Sequence, residues 1–126
     1  MHERRGSLLK GAVTITLMGV NVAIWIVPLM LVALAKLFVP VAAWRRGASR
    51  VLTAIAECWI AGNNRIFRWM GSMPLTTAGL DGLEQRQWYL VVSNHRSWVD
   101  ILVLQSIFNR RIPFLKFFLK RELVWV

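Results

Sequence analysis

The chain begins with an uneven distribution of charge. From Gly11 to Ala35 no charged residue interrupts an apolar run. At about 1.5 Å per helical residue this stretch is long enough to cross a bilayer core of roughly 30 Å. The run continues more loosely to Trp44, broken at Pro28, Lys36 and Pro40. Two geometries fit it: a single tilted span from about Gly11 to Ala35, kinked where the Pro28 ring removes a helix hydrogen bond, or a shallow hairpin bending near Pro28. Flanking charge does not decide cleanly, because Arg4, Arg5 and Lys10 precede the run and Arg45, Arg46 and Arg50 follow it, and such equal basic flanks slightly favour the hairpin. A cleaved secretory leader fits less well, since its apolar core is shorter and ends at a small-residue cleavage site that has no counterpart here.

Beyond this run the periodicity changes. Val51, Leu52, Ile55, Trp59, Ile66 and Met70 recur at three- and four-residue steps, with Arg50, Glu57, Asn63, Asn64 and Arg65 between them. That pattern predicts an amphipathic helix over Ala48–Met70, packed on a core or lying in a membrane interface. Gly71-Ser72-Met73-Pro74 ends it. Leu75–Leu83 predicts a short edge strand with a turn at Asp81-Gly82. Trp88–Val92 predicts a buried strand, and Ser97 caps a helix starting near Trp98 and running to Phe108. Asn109-Arg110-Arg111 closes that helix, and Ile112–Phe118 predicts a second buried strand with Pro113 at its start. Strand, helix, strand in this order implies a right-handed crossover and a parallel pair. The expected fold class is therefore α/β: hydrophobic N-terminal helices followed by the start of a mainly parallel sheet. The domain reading is a membrane anchor over residues 1–46 and a catalytic-type domain over 47–126.

Composition sharpens this picture. Apolar residues make up 56% of the chain and charged residues 17%, below the usual share in soluble domains, yet the formal charge is +10. A basic excess attracts nucleic acid and anionic lipid alike. Seven Trp residues favour the lipid boundary, and the cations scatter around hydrophobic elements rather than gathering on one aromatic-laced soluble face, so a nucleic-acid module is excluded. The one cysteine, Cys58, allows no internal disulfide and reads as a buried inert thiol. Two histidines and one cysteine, unclustered, make no metal site.

The candidate chemistry lies in Ser93-Asn94-His95-Arg96-Ser97-Trp98-Val99-Asp100. His95 falls where a predicted strand gives way to a helix, the edge at which ligand crevices form in parallel α/β sheets. Asp100, five residues on, is followed by Ile101-Leu102-Val103-Leu104, and a carboxylate beside such a run requires a partner. His95, Arg96 and the helix N-terminus are the nearest. A carboxylate on one imidazole nitrogen fixes the tautomer and frees the other nitrogen to take a proton. A surface histidine beside a helix-capping aspartate explains the bare spacing equally well.

Asn94-His95-x-x-x-x-Asp100 resembles the first signature block of the glycerolphosphate acyltransferase superfamily, especially the 1-acylglycerol-3-phosphate (PlsC-like) acyltransferases. The wording from Ser93 to Ile101 is similar to their YihG-type bacterial branch. Phe118-Leu119-Lys120-Arg121-Glu122-Leu123 resembles the Lys-x-Glu-Leu segment that follows the next strand in that family. The resemblance covers about Gly79–Val126. It implies transfer of an acyl chain from a thioester on coenzyme A or acyl carrier protein, a co-substrate rather than a bound cofactor, to a lysophospholipid hydroxyl. His95 is then the general base and Asp100 its orienting carboxylate. Asn94, Arg96 and Ser97 are expected to shape the loop or touch substrate, without Ser97 acting as a nucleophile. Lys120 matches the family position near the acceptor phosphate. Arg110, Arg111, Lys116 and Arg121 are expected to be solvated surface cations, with donor phosphates as the sharper reading. The implied partner is membrane lipid, and the implied location is a bacterial inner membrane with the catalytic part on the cytoplasmic side. Relatives continue past the point matching Val126 into further strands and a Glu-Gly-Thr-Arg type block, so the sequence is expected to be a C-terminal truncation or a fragment. An inactive truncated membrane protein is the alternative.

Overall fold

A computed structural model describes residues 2–71, 75–94 and 96–118, with side chains from Ser7 onward. The chain forms two compact units, Met1–Leu80 and Asp81–Val126.

The first unit is a helical hairpin. Helix α1 spans His2–Phe38 without interruption, Pro28 included. Proline removes one backbone donor, and a long run of apolar helix formers on either side carries the helix through it. The chain therefore does not turn back at Pro28. The turn comes at Val39–Val41, where Pro40 disfavours helical geometry at the residue before it. Carbonyl groups at the end of α1 are satisfied locally. Ala35 O accepts both the Val39 N–H at 3.2 Å and the Trp44 indole N–H at 3.3 Å.

Helix α2 spans Ala42–Met70 and starts six residues before the periodic pattern predicts, because Trp44, Arg45 and Arg46 already belong to its first turns. It ends at Gly71, whose φ of 59° is the left-handed C-cap glycine favours. Ala48, Ile60, Asn63 and Phe67 form its buried face, while Cys58 is half-buried. The two helices run antiparallel, since Ala35 meets Trp44 and Asn21 meets Trp59 and Asn63.

The polar contact at Asn21 fixes their register. Its side-chain amide donates to Trp59 O and to Asn63 Oδ1, each at 2.9 Å, and both asparagines are buried. Such a pair inside an apolar interface specifies alignment, because slipping the helices leaves two amides without partners. Gly62 makes the approach possible: a Cβ there would collide with the Asn21 carboxamide. Gly62→Ala is expected to lower stability by about 1–3 kcal/mol. Adding Asn21→Ala should recover part of that loss, because it removes the clashing group. Thermal unfolding of both variants in detergent, followed by circular dichroism, checks the coupling; strictly additive losses would contradict the contact.

On its other faces α1 is uncovered. Ile15, Ile24, Val27, Leu31 and Leu37 are exposed. Among the described residues Ser7–Phe38 is the one helix long and apolar enough to cross a membrane. By length and composition this surface suits a bilayer better than water.

The second unit corrects the expected fold class. Helix α3, Val99–Phe108, forms where the sequence predicts it, but among the described residues there is no β-strand and hence no parallel sheet. Leu75–Leu83 is irregular, with Gly79 and Gly82 at φ of 71° and 86°, values a strand does not adopt. The turn at Asp81-Gly82 is present. Tyr89 is tied to its own turn, its hydroxyl accepting the Glu84 N–H at 2.8 Å. Trp88–Val92 keeps the alternation of a strand: Trp88, Leu90 and Val92 stand 85%, 80% and 85% exposed while Tyr89 and Val91 are half-covered. It has no ladder partner among the described residues. Ile112–Phe118 likewise forms no ladder, although Ile112 is buried. The physical reason is that a strand is a paired object. Parallel strands are stabilised by neighbours on their edges and cover on both faces, and two isolated segments supply one ladder at most.

Candidate active site

The loop that leads into α3 is organised by one carboxylate. Asp100 occupies the first turn of α3 and folds back over the preceding chain. Its Oδ2 accepts the backbone N–H of Arg96 at 2.6 Å and that of Ser97 at 2.7 Å. These short distances are those of charge-assisted bonds. Ser97 reciprocates, its Oγ accepting the Val99 N–H at 3.2 Å and its carbonyl accepting the Asp100 N–H at 3.1 Å. The helix is thus capped by Ser97 and Asp100 together, the serine engaging a first-turn amide and the acid reaching back to the serine's own amide.

This arrangement answers the question posed by a carboxylate beside an apolar run. Part of the answer is the main chain of residues 96 and 97. Asp100 itself is half-buried, which strengthens both bonds relative to open water.

The structure brings Arg96, Ser97 and Asp100 together in this closed turn. Ser93 and Asn94 lie just before it and are exposed. His95 and Lys120 lie outside the described residues, as do Arg121 and the rest of the Lys-x-Glu-Leu segment. The Arg96 amide held by Asp100 belongs to the residue directly after His95. Arg110, Arg111 and Lys116 are exposed.

Beside Ser93 lies an apolar trough of about 300 Å³, bounded by Tyr89, Val91, Leu104, Ile112 and Phe114. It opens between the two runs that pattern alone predicts as paired strands. Sequence reasoning did not find it, because a gap between unpaired segments leaves no local signature. The reciprocal cap did have a signal: Ser97-x-x-Asp100 is the serine-to-acid spacing of a capping box.

Residues 74–126 match the family model described as Acyltransferase. The match covers less than half of the chain and shows a likeness of its C-terminal segment to that family. The match contains the whole Asp100 turn, the trough and α3. No curated protein and no solved structure matches the chain. In sequence, the acyltransferase-like segment comes after a helix with the length and apolarity of a membrane span.

Proposed function

We propose that this chain acylates a lysophospholipid at the membrane surface, by general-base catalysis from the loop before α3. The acceptor is a lysophospholipid such as 1-acylglycerol-3-phosphate, and the donor is an acyl thioester of coenzyme A or acyl carrier protein. His95 removes the acceptor's hydroxyl proton while that oxygen attacks the thioester carbonyl. The tetrahedral intermediate then collapses, the C–S bond breaks, and the proton passes to the departing thiolate. Asp100 holds the loop and balances the imidazolium charge. Asn94 and Arg96 flank the base, and Lys120 offers a cation to the acceptor phosphate.

The observation that carries this reading is the Asp100 carboxylate bound to the two amides that follow His95, within the acyltransferase-type segment. Such a tie holds a loop in one shape without using a covalent link, which a base needs if its ring is to meet a hydroxyl in line. The trough beside Ser93 suits an apolar chain. An amphiphilic acceptor stays in the bilayer, and α1 puts the protein in the same plane, so encounter occurs by lateral diffusion. The bacterial inner membrane, with catalysis on its cytoplasmic side, is the location this reading favours.

The test is transfer from labelled acyl-coenzyme A or acyl carrier protein to a panel of lysophospholipids in washed membranes. The expected product is a diacyl phospholipid, made fastest from the acceptor with a phosphate monoester headgroup. Transfer to water alone, or to no acceptor on the panel, would overturn the proposal.

A further inference from the structure

The tip of the α1–α2 hairpin gathers charge in a way the transfer reaction does not use. One open cleft there is lined by Lys36, Arg45, Arg46, Ser49 and Arg50. Lys36 comes from the last turn of α1 and the three arginines from the start of α2. The cleft exists only because α2 folds back on α1. No acidic residue lies between Glu3 and Glu57 in the sequence, and Glu57 is about two helical turns beyond Arg50. Arg46 and Arg50 sit one turn apart on α2, a like-charge spacing that by itself costs stability. The Ser49 hydroxyl donates to Arg45 O at 2.8 Å and brings no negative charge to the cleft. Among the described residues no carboxylate lines this cleft, and four cations held together in that way form a site for an anion.

The rim of the cleft identifies the anion's source. Leu37, Phe38, Val41 and Trp44 are exposed at the same turn, Leu37 and Phe38 by 76% and 77%. A soluble polyanion such as RNA satisfies the cations but leaves these side chains in water. A lipid surface satisfies both, since the headgroup layer meets the cations and the acyl layer meets the apolar rim. Arginine favours the phosphodiester in particular, because its planar fork binds two phosphate oxygens at once.

We propose that Lys36, Arg45, Arg46 and Arg50 bind the phosphodiester headgroup of an anionic phospholipid, fixing the hairpin tip at the membrane–water boundary. The proposal rests on the reading of α1 as a membrane-embedded helix. It adds a lipid site at the opposite end of α2 from the acyltransferase segment in sequence, one that is not consumed by the reaction.

Arginine chemistry tests it within a single molecule. The full chain in neutral detergent is treated with phenylglyoxal in the presence of phosphatidylglycerol, phosphatidylcholine, inorganic phosphate or an RNA oligonucleotide. Labelling of each arginine is then read by peptide mass spectrometry. Phosphatidylglycerol is expected to slow labelling of Arg45, Arg46 and Arg50 by about fivefold or more relative to Arg65 and Arg68, the scale of one surface charge on an anionic membrane. Lys36→Gln should weaken that protection. Equal slowing at all five arginines would mean general adsorption and would overturn the site. So would equal protection by phosphatidylcholine, or protection by inorganic phosphate or RNA in place of the lipid. Flotation of the same protein with phosphatidylcholine vesicles and with phosphatidylglycerol vesicles separates the two readings. A chain that floats but shows no selective protection loses only the headgroup site, and a chain that does not float with vesicles of either lipid loses both.

Discussion

Replacing His95 by alanine is expected to reduce acyl transfer by about 10²- to 10⁴-fold, the range a positioned general base contributes. Retention in salt-washed membranes should be unchanged, because α1 and the hairpin contacts at Asn21 and Asn63 lie in the other unit. The measurement is single-turnover transfer from labelled acyl-coenzyme A, with the variant's membrane yield matched to wild type. A His95→Ala protein that turned over near the wild-type rate would remove the base from the mechanism. Loss of membrane retention together with activity would instead point to misfolding. His95→Gln is the companion variant, since it keeps a hydrogen-bonding side chain without a group that titrates near neutrality.

The second large effect concerns Asp100, and there the structure separates two roles that sequence alone merges. Asp100→Asn keeps an oxygen able to accept the Arg96 and Ser97 amides but loses the charge. Asp100→Ala loses both. If the carboxylate serves the base electrostatically, the asparagine variant falls by on the order of 10²-fold or more with the loop still closed. The alanine variant falls at least as far and also loosens the loop, by about 1–3 kcal/mol for the charge-assisted bonds removed. Amide hydrogen exchange at Arg96 and Ser97 reads the loop directly: slow in wild type and Asp100→Asn, fast in Asp100→Ala. An asparagine variant with normal turnover and slow exchange would reduce Asp100 to a capping residue.

These two predictions also mark where the sequence was legible. Most of the helical content was, because its signals are local: apolar residues at three- and four-residue steps for α2, Ser97 ahead of an apolar stretch for α3, and for α1 a charge-free run that left open whether the chain turned at Pro28. Even the early start of α2 has a local cause, since Pro40 ends one helix and the residues after Val41 are free to begin another. The expected parallel sheet was a misreading, since the described residues hold no strand. Trp88–Val92 carries the alternation of a strand, and that alternation survives in its exposure, but pairing depends on residues far away in sequence. The pattern states which side chains share a face, not what lies beside them. The candidate site falls between these cases. Ser97-x-x-Asp100 announced a cap. That the carboxylate would also take the Arg96 amide depends on how sharply the loop turns, which no residue type dictates.

The uncovered row at Trp88, Leu90 and Val92 bears on how the protein behaves when it is handled. Five consecutive β-forming residues, without charge or proline, present alternate side chains to solvent with no ladder hydrogen bonds of their own. That is the signature of an aggregation-prone edge. Two molecules pairing at this stretch would gain a backbone ladder and cover the exposed Trp88, Leu90 and Val92, so self-association is expected to compete with solubility when the chain is concentrated outside lipid. A lysine in place of Leu90, on the exposed side of the run, sets a like-charge barrier against that pairing while leaving the half-covered Tyr89 and Val91 untouched.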